Sequence, residues 1–130
     1  MLFVCIENSS RSVMAEGFAR SMGWRASSAG TFPATKTNEL VVKAMDEAGI
    51  DVSQSKPKGL TEKMIEAADV VVLTDATLSN SIPGNLRKKM KKKAVEWSIP
   101  DPQGRDLAEI RFIRDQIKRE VSSLATGSTR

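Results

Sequence analysis

The sequence predicts an α/β domain, a parallel sheet covered by helices on both faces. Short apolar runs alternate along the chain with stretches whose apolar residues recur at three- and four-residue spacing. One run, Val70-Val71-Val72-Leu73, is continuously apolar and mostly β-branched. That pattern suits a strand buried on both faces, where neither side has to meet water.

The elements follow in order. Leu2-Phe3-Val4-Cys5 is apolar and is broken by Asn8-Ser9-Ser10, which reads as a buried strand ending in a turn. From Ser12 onward, Met14, Ala15, Phe18, Ala19 and Met22 line one face of a helix that Gly23 stops. Trp24 to Ala29 forms a second strand closed by Gly30. Asn38 caps a helix carrying Val41, Val42, Met45 and Ala48, which Gly49 ends. Thr61 opens a short helix from Glu62 to Ala67, and Asp69 precedes the β-branched strand. Ala94 to Ile99 is a weaker fourth strand. Asp106 to Leu124 is the longest helix, with Leu107, Ile110, Ile113, Ile117, Val121 and Leu124 on one stripe. No repeat or low-complexity linker interrupts the chain. One domain is therefore expected over 1–124, with the small polar residues 125–130 fraying.

The chain has 130 residues, enough to bury roughly two-thirds of its unfolded surface. No stretch approaches the roughly 20 apolar residues that span a bilayer, so no membrane partner is expected. The opening Met1-Leu2-Phe3-Val4 has neither a basic region before it nor a small-residue cleavage site after it, which places the chain in the cytoplasm. A lone cysteine agrees with a reducing compartment. Histidine is absent, which excludes Ser/His/Asp and Cys/His catalysis and His-ligated metals; no metal or cofactor is expected. Tyrosine is absent too, so proton transfer falls to carboxylates, lysines, the thiol or water. The net charge of +4 is local: six of the seven residues from Arg87 to Lys93 are basic, and without them the chain stands at −2. No aromatic interleaves that run, so a solvated surface is the expectation and nucleic acid is not an expected partner. A steering field for anions is a lesser use of it. A monomer is expected.

The chemistry concentrates in Cys5-Ile6-Glu7-Asn8-Ser9-Ser10-Arg11-Ser12, a Cys-x5-Arg-Ser loop joining a strand directly to a helix. Five residues there suffice to wrap backbone N–H groups of Ile6, Glu7, Asn8, Ser9 and Ser10 around a tetrahedral oxyanion. In α/β sheets such loops lie at the edge where ligands bind. A cysteine nucleophile reacts as the thiolate, which helix-terminal amides, the Arg11 guanidinium and the Ser12 hydroxyl would favour. Arg11 can also grip two oxygens in a bidentate fork. Asn8 is suited to tying the loop internally, and Glu7 is expected to point outward. The same residues also fit a buried strand-end cysteine followed by an ordinary helix-start arginine.

On these residues the chain resembles the low-molecular-weight protein tyrosine phosphatase superfamily, and within it the arsenate reductase branch. The matching segments are Phe3-Val4-Cys5 with Asn8, Arg11-Ser12 and Met14-Ala15-Glu16-Gly17, then Ser28-Ala29-Gly30-Thr31, Met45, Gly49-Ile50-Asp51 and Ser53. Asp69-Val70-Val71-Val72, Trp97, Pro100-Asp101-Pro102, Gly104, Arg111 and Arg114-Asp115 complete the set, in order and spacing. The resemblance implies a single three-layer domain with a four-stranded parallel sheet. It further implies that Cys5 is the nucleophile, Arg11 the oxyanion clamp and Asp101 the general acid. Read alone, Asp101-Pro102 equally suits a turn before the last helix. Glu16 and Ser28 are candidates for supporting the loop from behind, and Trp24 and Trp97 for packing.

Departures from the family pattern shape the function. Thioredoxin-coupled arsenate reductases use two further cysteines after the third strand, but residues 74–83 here hold none. Position 10, often cysteine in the superfamily, is Ser10. Gln103-Gly104 follows Asp-Pro where phosphatases of the family usually place aromatics. Lys56 and Lys58 occupy a segment that helps bind potassium in some relatives, which makes a cation site there doubtful. The expected activity is thus attack of Cys5 on arsenate, with an external thiol, small or a redoxin, as reductant. A phosphomonoesterase acting through phosphocysteine is the alternative, and a non-catalytic anion- or protein-binding module a further one.

Overall fold

A computed structural model describes residues 1–126. Four strands, β1 (Leu2–Cys5), β2 (Ser27–Gly30), β3 (Val71–Leu73) and β4 (Ala94–Glu96), form one parallel sheet in the order β2-β1-β3-β4. Five helices accompany them: α1 (Arg11–Ser21), α2 (Glu39–Glu47), α3 (Glu62–Ala67), α4 (Gly84–Met90) and α5 (Leu107–Thr126). A single 3-10 turn, Leu78–Ser81, lies between β3 and α4. The doubly covered α/β sheet expected from sequence is the observed one.

Alternation along β1 divides the core. Phe3 points to one face of the sheet, where it meets Val72, the apolar sides of α1, α2 and α5, and the ring of Trp97 at 5.8 Å. Leu2 and Val4 point to the other, with Val71, Leu73, Ile65, Leu78 and Met90. Both clusters are fully buried at their centres, so β1 and β3 are interior strands with no solvated side.

Sequence boundaries held where chemistry marks them. The Asn38 side chain accepts from the Leu40 N–H and the Thr61 hydroxyl from the Met64 N–H, each satisfying a donor orphaned at a helix start. Gly23 and Gly49 take the positive φ that follows α1 and α2. Other bounds moved: β2 begins at Ser27 rather than Trp24, and β4 ends at Glu96 rather than Ile99. Trp24 is exposed on one side. Helix α5 continues to Thr126, two residues into the segment expected to fray; the rest of that segment lies outside the described residues.

The basic run is exposed at Arg87, Lys88, Lys89, Lys91 and Lys92, the solvated surface expected of it, and also carries structural contacts. It is not merely a solvated segment, because its first half forms the end of α4 and the remainder leads into β4. Lys89 pairs with Glu62 at 2.7 Å and Glu66 at 3.7 Å on α3. The Lys93 ammonium donates to the carbonyls of Ile65 and Ala68 at 2.7 and 2.8 Å, closing the C-terminal end of α3. Among the described residues, no helix is long and apolar enough to cross a membrane.

Candidate active site

The loop after β1 turns because Asn8 adopts φ 53°, a left-handed conformation that asparagine tolerates better than most residues. Its side chain then satisfies three partners at once. The amide nitrogen donates to Ser12 Oγ at 2.8 Å and Ser28 Oγ at 2.9 Å, while Oδ1 accepts from the Lys58 N–H at 3.0 Å. Ser28 in turn donates to Glu16 Oε1 at 2.6 Å, so both residues singled out for support stand behind the loop. The Asn8 backbone N–H points to Cys5 Sγ at 3.2 Å, and Ser12 Oγ lies 2.9 Å from the same sulfur. Cys5 is 2% exposed, and two polar groups stand within hydrogen-bond distance of its sulfur.

One neighbouring segment, residues 31–34, clamps this loop from outside. The N–H groups of Thr31, Phe32 and Ala34 donate to the carbonyls of Cys5, Ile6 and Glu7 at 3.1, 2.7 and 2.9 Å. With its carbonyls held outward in this way, the loop is free to turn amides inward. Gly30 makes the approach fit: a Cβ there would stand 2.6 Å from the Ile6 carbonyl oxygen and 2.9 Å from the Asn8 nitrogen.

Helix α1 starts at Arg11 with no side chain capping it at Ser10, which leaves its first amides available to an anion. Arg11 is 3% exposed. One guanidinium nitrogen, Nη1, donates to the Ile99 carbonyl at 2.9 Å and faces Asp75 Oδ2 at 3.3 Å. The buried Nε has no partner, so one donor of the fork remains unspent. The Asp75 carboxyl is held below its usual range, first by the Thr77 backbone N–H, against burial, and then by the Thr77 hydroxyl and by Arg11.

Cys5, Ile6, Glu7, Ser10, Arg11, Asp101 and Gln103 line one cavity of about 100 Å³. Cys5, Ile6, Glu7, Ser10 and Arg11 thereby share a cavity with the distant Asp101. Asn8 and Ser12 stand behind the sulfur rather than in the cavity, and Ser9 is buried, its carbonyl accepting from the Asn38 N–H at 3.0 Å. Glu7 departs from expectation. It is half-buried and lines the cavity, and its carboxylate accepts from the Ser9 hydroxyl at 3.4 Å. Asp101 also makes the turn that Asp-Pro suggests, its Oδ1 accepting from the Gln103 N–H at 3.0 Å.

Sequence reasoning missed four contributors. Asp75 and Ile99 hold Arg11 across 64 and 88 residues of chain, which no local pattern reveals. Gly30 was read as the end of a strand and as part of a matching segment, not as a point of close backbone approach. Phe32 is 79% exposed beside the loop, to which its backbone is bonded, so the rim is less aromatic-poor than Gln103-Gly104 suggested. Among the described residues, no group of three or more carboxylate or thiol side chains gathers as a metal site.

Residues 1–129 match the family described as low molecular weight phosphotyrosine protein phosphatase. An arsenate reductase of Staphylococcus epidermidis is 35% identical over 127 residues, spanning 95% of this chain and 92% of the relative. A crystal structure of an arsenate reductase from Archaeoglobus fulgidus is 31% identical and superposes with a TM-score of 0.79, covering 95% of this chain and 96% of that one. A low molecular weight protein tyrosine phosphatase from T. tengcongensis is 26% identical with a TM-score of 0.86, covering 97% of each chain.

Proposed function

The chain belongs to the low molecular weight phosphotyrosine protein phosphatase family, and from that premise we propose that it is an arsenate reductase-like enzyme working through Cys5. The observation that carries this reading is the size and lining of the cavity. At about 100 Å³ it is well below the roughly 300–1,000 Å³ typical of organic-ligand pockets. It suits a tetrahedral inorganic oxyanion.

In the proposed reaction the Cys5 thiolate attacks arsenic, and an arsenate oxygen departs as water after protonation by Asp101. The loop amides and Arg11 hold the remaining oxygens, where charge accumulates in the transition state. Cys5 is the chain's single cysteine, so no internal disulfide can form. An external thiol therefore displaces the Cys5 sulfur from arsenic and returns the thiolate. A second thiol attacks the sulfur of that thiol–arsenic adduct, and the bonding pair passes to arsenic. The sum is arsenate plus two thiols giving arsenite, one disulfide and water.

Phosphomonoester hydrolysis is the second reading, favoured by one observation. Phe32 offers an exposed apolar surface at the rim, which a bare oxyanion does not require. There Cys5 would take the phosphoryl group, Asp101 would protonate the leaving alcohol, and Asp101 would then deprotonate the attacking water.

Purified protein assayed in parallel for arsenite production with several thiols and for p-nitrophenyl phosphate hydrolysis separates the two. Thiol-dependent arsenite formation, abolished by Cys5→Ser, is expected. Hydrolysis without any arsenite formation overturns the preference.

A further inference from the structure

The structure opens a second concavity on the opposite flank of β3 from Cys5. It holds about 590 Å³ between α4 and the sheet edge. Its floor is apolar, formed by Leu73, Met90 and Ala94, and its rim carries Arg87, Lys88 and Lys91. Lys88 and Lys91 make no hydrogen bond or ion pair among the described residues, whereas Lys89 and Lys93 are engaged with α3 and Arg87 donates to the Ser79 carbonyl at 3.4 Å.

β4 forms one wall and is an edge strand. Parallel pairing uses alternate residues of a strand. Here Val71 donates to the Lys93 carbonyl and Trp97 donates to the Leu73 carbonyl, which assigns Lys93, Val95 and Trp97 to the β3 side. Ala94 and Glu96 therefore turn their N–H and C=O groups off the sheet, and among the described residues these groups have no partner. Unpaired edge groups of this kind are a template for another strand.

We propose that this groove binds an extended acidic segment of a partner protein by adding it as a fifth strand alongside β4. Backbone pairing to Ala94 and Glu96 supplies the register. The side chains of the segment that face α4 then meet the groove, apolar ones over the floor of Leu73, Met90 and Ala94 and carboxylates against Arg87, Lys88 and Lys91. The single acidic rim residue, Glu96, sits at the C-terminal end of β4 and sets polarity, because the acidic part of the segment must lie toward α4. A second copy of this chain is a poor occupant. Pairing two β4 edges brings identical basic rims together, and like charges across a pair are unfavourable. Nucleic acid would use the cations but neither the unpaired backbone nor the apolar floor.

The test is fluorescence anisotropy at low salt with a short labelled peptide of Glu-Glu-Val-Val repeats, which puts both residue types on each face of a strand. Binding that weakens at least about tenfold in a Lys88→Glu, Lys91→Glu double variant is expected. The neutral pair Lys88→Gln, Lys91→Gln should give an intermediate loss. Both positions are exposed, and an unchanged circular dichroism spectrum reports retained folding. The same peptide N-methylated at alternate residues should not bind. Equal binding of the N-methylated peptide, absence of binding by the parent peptide, or displacement by an oligonucleotide of equal charge at lower concentration would each overturn the proposal. So would sedimentation showing that the protein pairs with itself and that pairing excludes the peptide.

Discussion

Replacing Gly30 with alanine tests whether the cradle depends on close backbone approach. The new methyl would lie 2.6 Å from the Ile6 carbonyl oxygen and 2.9 Å from the Asn8 nitrogen, and both are backbone atoms that cannot rotate away. Ordinary contact begins at 3.4 Å, so the loop must retreat by up to about 0.8 Å or β2 must shift instead. Overpacking of this kind costs about 1–3 kcal/mol of stability. Catalysis should suffer more, because a misplacement of about 1 Å at a reacting centre costs on the order of 100-fold. The expected result is a folded protein with a modestly lowered urea midpoint and a fall of about 10- to 100-fold in kcat/KM. Steady-state turnover of p-nitrophenyl phosphate and of arsenate with thiol, run beside urea melts, reads both quantities. Turnover within about twofold of the parent would refute the reasoning, since the contact would then impose no geometry on the loop.

Other substitutions probe the remaining supports. Asn8→Ala removes a buried side chain with three hydrogen bonds and leaves alanine at φ 53°; a loss of about 3–5 kcal/mol in urea unfolding is expected. Asp101→Asn should lower kcat at least about 100-fold for phenyl phosphate and much less for p-nitrophenyl phosphate, whose leaving group needs little protonation. Asp75→Asn should raise KM for the oxyanion, measured by steady-state kinetics, because Arg11 loses one of its two anchors. The Asp75 carboxyl is held low in the fold, so its contribution to stability is present above its unfolded value of about 3.9 and is lost as pH falls through the lower folded value. The parent should therefore be more stable than Asp75→Asn at pH 7, by about 1 kcal/mol given the 29% exposure of Asp75, and the gap should close below about pH 4 in urea melts.

What could be read in the sequence was whatever local chemistry encodes. The cap residues Asn38 and Thr61, the stop at Gly49 and the continuous run before Leu73 each act within a few residues, and the corresponding elements were legible. Helix α4 was not. Its sequence, Gly84 to Met90, begins with glycine and carries consecutive cations, so neither propensity nor amphipathic spacing marks it. Its supports, the Lys89 pairs with Glu62 and Glu66 and the burial of Met90, come from elsewhere in the chain. The site divides in the same way. Cys5, Asn8, Arg11 and Ser12 share one loop and could be read together. Asp101 was reached only through family resemblance, because its proximity to Cys5 depends on strand order. Asp75 and Gly30 act through contacts created when β1 is inserted between β2 and β3.

The bond from Arg11 to the Ile99 carbonyl has a mechanical consequence. Ile99 precedes Asp101 by two residues, so the group proposed to grip the anion is moored to the segment carrying the proposed proton donor. Tension on one is felt by the other through a tether two peptide units long. Lengthening that tether, even with inert glycine, would let grip and proton delivery drift out of step while leaving every side chain of the reaction in place.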